Sequence, residues 1–137
     1  MNVLVDANVL SEATKPRPDA NVLQWLTANQ ARLVVNPIIL GELEFGILKL
    51  PQGKRRKGLL DWFTSGARYL PLVELDAGTA TCWAHLLADL RRDGLGMPVK
   101  DSLIAASALQ HGFTVATRNT RDFVPAKVRL VNPFDPN

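Results

Sequence analysis

Apolar residues in this chain recur in two rhythms, short unbroken runs and longer stretches with one apolar face, and the two alternate along the sequence. The run Val3, Leu4, Val5 predicts a buried strand over Asn2–Val5, and VLSEAT after it predicts a short helix that KPRPD ends. Asp19 stands where a helix N-cap belongs, ahead of Val22, Leu23, Trp25 and Leu26 at helical spacing. Arg32–Val35 predicts a second strand. Asn36 then caps a helix with Pro37 at its first position that runs to about Leu48 and buries Ile39, Leu40, Leu43 and Ile47. After a break at LPQG, the KRRK run leads into a helix over GLLDWFTSGARYL, with Leu60, Trp62 and Phe63 partly inward. Leu72–Leu75 predicts a third strand, and Asp76 caps a helix through TATCWAHLLADLRRDG that stops at Gly94. MPVKDSLIAASALQHG predicts another helix, with Asp101 near its start and Gly112 at its end; Phe113–Ala116 and Val128–Val131 supply the remaining strands.

Short apolar strands separated by helices call for a parallel sheet covered on both faces. The expected fold class is α/β, a three-layer α/β/α sandwich around a central, mostly parallel sheet of about four to five strands. At 137 residues the chain has the size of one domain, taken as residues 1–137, and its 47% hydrophobic and 21% charged residues suit a soluble globular protein. No window approaches the roughly 20 apolar residues of a membrane span, and no basic segment leads into a long apolar stretch at the N-terminus, so a cytoplasmic protein without a membrane partner is expected. Cys82 is the only cysteine, which excludes an internal disulfide and a four-cysteine zinc site. The net charge of +3 permits a polyanionic partner without requiring one.

Charged residues change the picture at the strand ends. In open α/β sheets, ligands gather outside the carboxyl ends of the strands, near the point where strand order reverses. Asp6 ends the first strand, Glu42 lies in the second turn of the helix after the second strand, and Asp101 begins a helix. Asn119 and Asp122, in TRNTRDF, follow the strand that ends at Ala116. Each has a structural explanation alone: Asp6 or Asn8 could cap the next helix, Asp101 could cap SLIAASAL, TRNTRD could be a surface turn, and Glu42 is an ordinary helix residue. Gathered in one cleft, however, several carboxylates repel unless a cation joins them. A hard divalent ion suits oxygen ligands, and it can activate water and steady a developing phosphate charge. On this reading the first strand delivers Asp6 to the edge of the sheet, and capping falls to Asn8.

VDANVLSE, NPIILGELEFG, VKDSLIAASA and VATRNTRDF, in this order, resemble the PIN-domain nucleases, most closely the VapC toxins of the FitB-like branch, over essentially the whole chain. The resemblance implies a metal-dependent endoribonuclease, the toxin of a type II toxin–antitoxin system, using Mg²⁺ or Mn²⁺ to hydrolyse RNA phosphodiesters to 5′-phosphate and 3′-hydroxyl ends. The family's acidic quartet carries onto Asp6, Glu42, Asp101 and Asp122, with Asp6 and Asp101 the principal metal ligands. TRNTRDF offers both Asn119 and Asp122 as the fourth ligand, and Thr117 and Asn8 stand behind the ligands. The resemblance also implies a homodimer, a VapB-like antitoxin that covers the acidic site, and a tRNA, mRNA or rRNA substrate. One departure is visible: the family commonly has Asp-Thr-Asn or Asp-Thr-Ser where this chain has Ala7, which removes a hydroxyl near the metal but no carboxylate.

Other residues compete for attention with less claim. Ser102 and Ser107 have no evident histidine base, His85 lies mid-helix, and His111 sits at a helix end where a cation favours the dipole. Trp25, Trp62 and Trp83 lie in amphipathic contexts that favour packing over base stacking. Lys54, Arg55, Arg56 and Lys57 could contact RNA phosphates, and Arg118 and Arg121, beside the acidic edge, are better placed to do so. Two other readings remain at this stage. A haloacid-dehalogenase-like phosphatase would need a second acidic residue where Asn8 stands, and a non-catalytic PIN-like module would bind RNA or protein without using the carboxylates.

Overall fold

The protein is described from a computed structural model, which covers residues 1–135. Its elements are β1 (Val3–Val5), α1 (Ala7–Glu12), α2 (Ala20–Ala28), β2 (Leu33–Val34), α3 (Pro37–Leu48), α4 (Lys54–Ser65), α5 (Ala77–Arg92), α6 (Val99–His111), β3 (Thr114–Ala116), α7 (Thr120–Phe123) and β4 (Leu130–Val131). The strands form one parallel sheet in the order β2-β1-β3-β4. From β1 the chain crosses to β2 on one side, and from β3 it crosses to β4 on the other, so the connections diverge between β1 and β3. That divergence opens a crevice at the carboxyl ends of the two central strands.

β1 is buried along its whole length, as a central strand covered by helices must be. Leu4, Val5, Val9, Val35, Ile39, Ile104, Val115 and Phe123 make the fully enclosed centre of the core. Small residues let α6 approach closely: Ser102, Ala105, Ala106, Ser107 and Ala108 are all buried, and α6 packs along α5, against α3 and beside β3. Its polar groups are partnered within this packing. The Trp83 indole N–H donates to Ser102 Oγ at 2.9 Å, and Asn36 Nδ2 donates to Ser107 Oγ at 3.0 Å. Both serines therefore serve packing, in agreement with the absence of a histidine base. Gly112 ends α6 in the left-handed region at φ 71°, where the absence of a Cβ removes the steric cost.

The structure corrects two local expectations. Leu72–Leu75 does not form a strand. Only an isolated parallel bridge joins Val35 to Leu72, through Val35 N–H to Pro71 O at 2.9 Å and Val73 N–H to Val35 O at 2.8 Å. The segment lies outside β2 with Leu72 and Leu75 exposed, so no second neighbour extends the ladder there. The cap of α1 is Asp6 rather than Asn8: its carboxylate accepts the Ala7 N–H at 2.8 Å, while Asn8 lies inside the helix. Elsewhere the strands are shorter than expected, β1 by Asn2, β2 by Arg32 and Val35, β3 by Phe113 and β4 by Val128 and Arg129. No described helix is long and apolar enough to cross a membrane.

Asn36 carries two roles at zero exposure, since its Oδ1 also caps α3 by accepting the Ile39 N–H at 3.0 Å. Replacing Asn36 by Ala removes the cap and strands the Ser107 hydroxyl, and it should cost about 2–3 kcal/mol in urea unfolding. A loss below about 0.5 kcal/mol would contradict the dual role.

Candidate active site

Asp6 and Thr117 leave the ends of β1 and β3 side by side. The two strands pair Val5 with Ala116, and the Asp6 N–H continues the ladder to Ala116 O at 2.9 Å. The side chains of the next residues then meet: Thr117 Oγ1 donates to Asp6 Oδ2 at 2.7 Å. Asp6 is 3% exposed and Thr117 fully buried. Burial pushes the Asp6 carboxyl above its usual range, against the opposing pull of Thr117, the Ala7 N–H, the charge of Lys100 and Asn8. A buried carboxylate so held keeps one orientation.

Asn8 completes the support. Its amide donates to Asp6 Oδ2 and to Thr117 Oγ1, both at 3.4 Å, and its carbonyl oxygen accepts the Arg118 N–H at 3.1 Å. The Asn119 N–H donates to Thr117 Oγ1 at 3.0 Å. This position offers no titratable group to a phosphatase of the haloacid-dehalogenase kind, and its amide is already engaged.

Glu42 reaches the site from the second turn of α3, and Asp101 from the first turn of α6. Asp101 caps nothing, because Pro98 occupies the cap position and the Asp101 carboxyl is left free. Burial raises the Glu42 carboxyl, and the charge of Asp6 raises it further, while Lys100 lowers it. Asp101 is pushed up to about 6, first by burial and then by the charges of Asp6, Asp122 and Glu42. Asp101 thus feels the charges of Asp6, Asp122 and Glu42, and Glu42 feels that of Asp6. Asp122 is exposed in the first turn of α7, whose cap residue, Asn119, makes no side-chain cap bond.

The donor chemistry fits a hard divalent cation. Every candidate group is an oxygen, the carboxylates resist ionising together, and Glu42 Oε1 is buried without a hydrogen-bond partner among the described residues. Among the described residues, no group of three or more Asp, Glu, His or Cys side chains is arranged to hold a metal ion as it stands. Water molecules around a Mg²⁺ ion commonly complete such an open set.

Around this edge the basic residues divide. Arg55 lines a cavity of about 280 Å³ that opens beside Glu42, Ala7 and Asn8 and is walled by Leu43, Ile47 and Trp62. Lys54, Arg56 and Lys57 line a separate cavity with Gln52 and Leu60. Arg118 lies with its guanidinium 4.5 Å from the centre of the Phe134 ring, and Arg121 is exposed. Sequence reasoning missed two charged residues. Glu12, 6% exposed, accepts the Asp19 N–H at 2.9 Å and pairs with Lys15 at 2.9 Å, tying α1 to the start of α2. Lys100, adjacent to Asp101, places its Nζ 3.5 Å from Glu42 Oε2; its position one residue before a candidate ligand was the available signal.

The chain resembles known proteins over nearly its whole length. The chain is 35% identical to the VapC ribonuclease Y4jK of Sinorhizobium fredii, with 98% of this chain and 99% of that protein covered. It is 33% identical to toxin FitB of Neisseria gonorrhoeae, with 96% of this chain and 98% of that protein covered. The crystal structure of FitAcB from Neisseria gonorrhoeae superposes with a TM-score of 0.89 at 31% identity, covering 96% of this chain and 98% of that one. The PIN domain family model matches residues 3–127, and with full-length relatives of this similarity the chain belongs to the PIN-domain family.

Proposed function

We propose that this chain is a Mg²⁺- or Mn²⁺-dependent endoribonuclease and the toxin of a VapBC-like pair, with a VapB-like antitoxin as its partner. What supports the chemistry is that the charges of Asp6, Asp122 and Glu42 all act on Asp101, which is pushed up to about 6, and that Glu42 Oε1 is buried and unpartnered among the described residues. The ribonuclease and toxin named among its relatives support RNA as substrate and a toxin's role.

Asp6 and Asp101 would hold the ion, Asp6 because Thr117 and the Ala7 N–H fix it, and Asp101 because its carboxyl is free. The ion, when bound, supplies an acidified water and charge to steady the phosphate. Glu42 would share the ion through Oε2 and, with Oε1, orient the attacking water and accept its proton as the water oxygen bonds to phosphorus and the 3′-oxygen departs, taking a proton from solvent. Asp122 completes the negative shell; its effect on Asp101 favours it over Asn119, whose backbone N–H serves Thr117 instead. Arg55, on the cavity beside Glu42, and the exposed Arg118 and Arg121 are the cations placed to receive RNA phosphates. Four basic residues at the start of α4 oppose its dipole, a local cost that a bound polyanion would relieve.

Purified protein incubated with mixed structured RNAs should yield 5′-phosphate ends with Mg²⁺ or Mn²⁺ and none with chelator. Asp101→Asn or Asp6→Asn should lower cleavage by about 10²-fold or more. Cleavage unaffected by chelator would sink this mechanism, and intact ion binding without any cleavage would favour the non-catalytic module.

Thr117→Val keeps shape but leaves Asp6 Oδ2 with the long Asn8 contact alone. Ion affinity by calorimetry should fall about 10- to 100-fold, and an unchanged affinity would deny Thr117 its supporting role.

A pH dependence follows for the metal-free protein. A carboxyl raised to about 6 in the fold from 3.8 contributes stability below 3.8 that is lost as pH rises through 6. Melting temperature should therefore be higher near about pH 5 than near about pH 7.5, and the gap should shrink with saturating Mg²⁺ or in Asp101→Asn. Glu12, lowered by its Lys15 partner, loses its contribution only below 4.5 and does not mask this window. An identical melting temperature at both pH values would refute the assignment.

A further inference from the structure

Lys100 lies within the VKDSLIAASA stretch, one residue before Asp101, yet the family resemblance assigns it no role. It is the second residue of α6, and its Nζ lies 3.5 Å from Glu42 Oε2. The lysine side chain is 64% exposed and that of Glu42 23%, so the ammonium reaches in from solvent over the rim. Among the groups that act most strongly on Asp6, Glu42 and Asp101, it is the one cation common to all three. Its contact serves one Glu42 oxygen and leaves the other, Oε1, buried without a partner.

We propose that Lys100 is the resident counter-ion of the metal-free site, holding Glu42 while no divalent ion is bound and withdrawing when one binds, so that lysine and ion compete for the same carboxylate. The inference rests on the metal-site reading above. At 3.5 Å the contact is a charge contact, longer than the 2.7–2.9 Å usual for a charge-assisted hydrogen bond. Lysine is a hydrated point charge on a flexible stem, so leaving Glu42 for solvent costs it little. A divalent ion seated on Glu42 would repel an ammonium at that distance strongly enough to expel it. Removing Lys100 therefore has opposite effects on two properties that a merely structural residue would move together. The metal-free fold loses a cation shared by Asp6, Glu42 and Asp101 and weakens, whereas the ion loses a competitor and binds more tightly.

The test is a calorimetric Mn²⁺ titration, paired with metal-free thermal melting, of the full chain and its Lys100→Met, Lys100→Arg, Glu42→Gln and doubly substituted variants. Lys100→Met should bind Mn²⁺ about three- to tenfold more tightly and melt at a lower temperature without metal. Lys100→Arg should return both toward the parent values. In the Glu42→Gln background, Lys100→Met should leave Mn²⁺ affinity nearly unchanged, because the contested carboxylate is gone. Equal or weaker Mn²⁺ binding by Lys100→Met overturns the counter-ion role while the metal site stands. A parent protein that binds no Mn²⁺ overturns the metal site and the counter-ion role with it.

Discussion

The hydrogen bond between Thr117 and Asp6 is the contact on which the acidic edge depends. Two parallel strands at the middle of a sheet, Val3–Val5 and Thr114–Ala116, end in register, and the next residue of each is a buried polar side chain that satisfies the other. Neither could be buried alone without a substantial desolvation penalty. Pairing β1 with β3 therefore does more than close the sheet: it fixes a carboxylate where the crossovers diverge, and Asn8, Ala7 and Asn119 add their hydrogen bonds to that fixed point.

Around Asp6 the site is built under electrostatic tension. Glu42 and Asp101 come from different helices, and each is raised by burial and by the charges of its neighbours. The core supplies the force that keeps them together, since α3 and α6 are anchored by Ile39, Leu43, Ile104 and the buried alanines of α6. Repulsion at a sheet edge is tolerable when the opposing helices are pinned behind it. This is the usual relation of a functional site to its scaffold, in which local strain persists because the surrounding packing over-determines it.

Much of this was legible in the sequence, and the exceptions share a cause. Apolar runs announced the strands and helical spacing the helices, because burial pattern is a property of consecutive residues. Asp6 and Asp101 could be picked out because each stands next to an element boundary, whereas Glu42, in the second turn of α3, was picked out by the resemblance to the PIN-domain nucleases. Leu72–Leu75 misled because an apolar run reports suitability for a strand and not the presence of a neighbour to pair with. Assigning the α1 cap to Asn8 treated capping and site-building as exclusive, whereas Asp6 has two oxygens and gives Oδ1 to the Ala7 N–H and Oδ2 to Thr117. Lys100 was invisible because its meaning depends on Glu42, which lies on another helix and far away in the chain.

The Asn36–Ser107 hydrogen bond has a consequence for the spacing of two acidic helices. Glu42 stands six residues beyond Asn36 on α3, and Asp101 six residues before Ser107 on α6, so each carboxylate lies about 9 Å along its helix from the pin at 1.5 Å per residue. Two helices joined at that distance behave as the arms of a caliper, whose opening at the tips is set at the hinge. A side-chain amide remote from both carboxylates thus ties together the two helices that carry them.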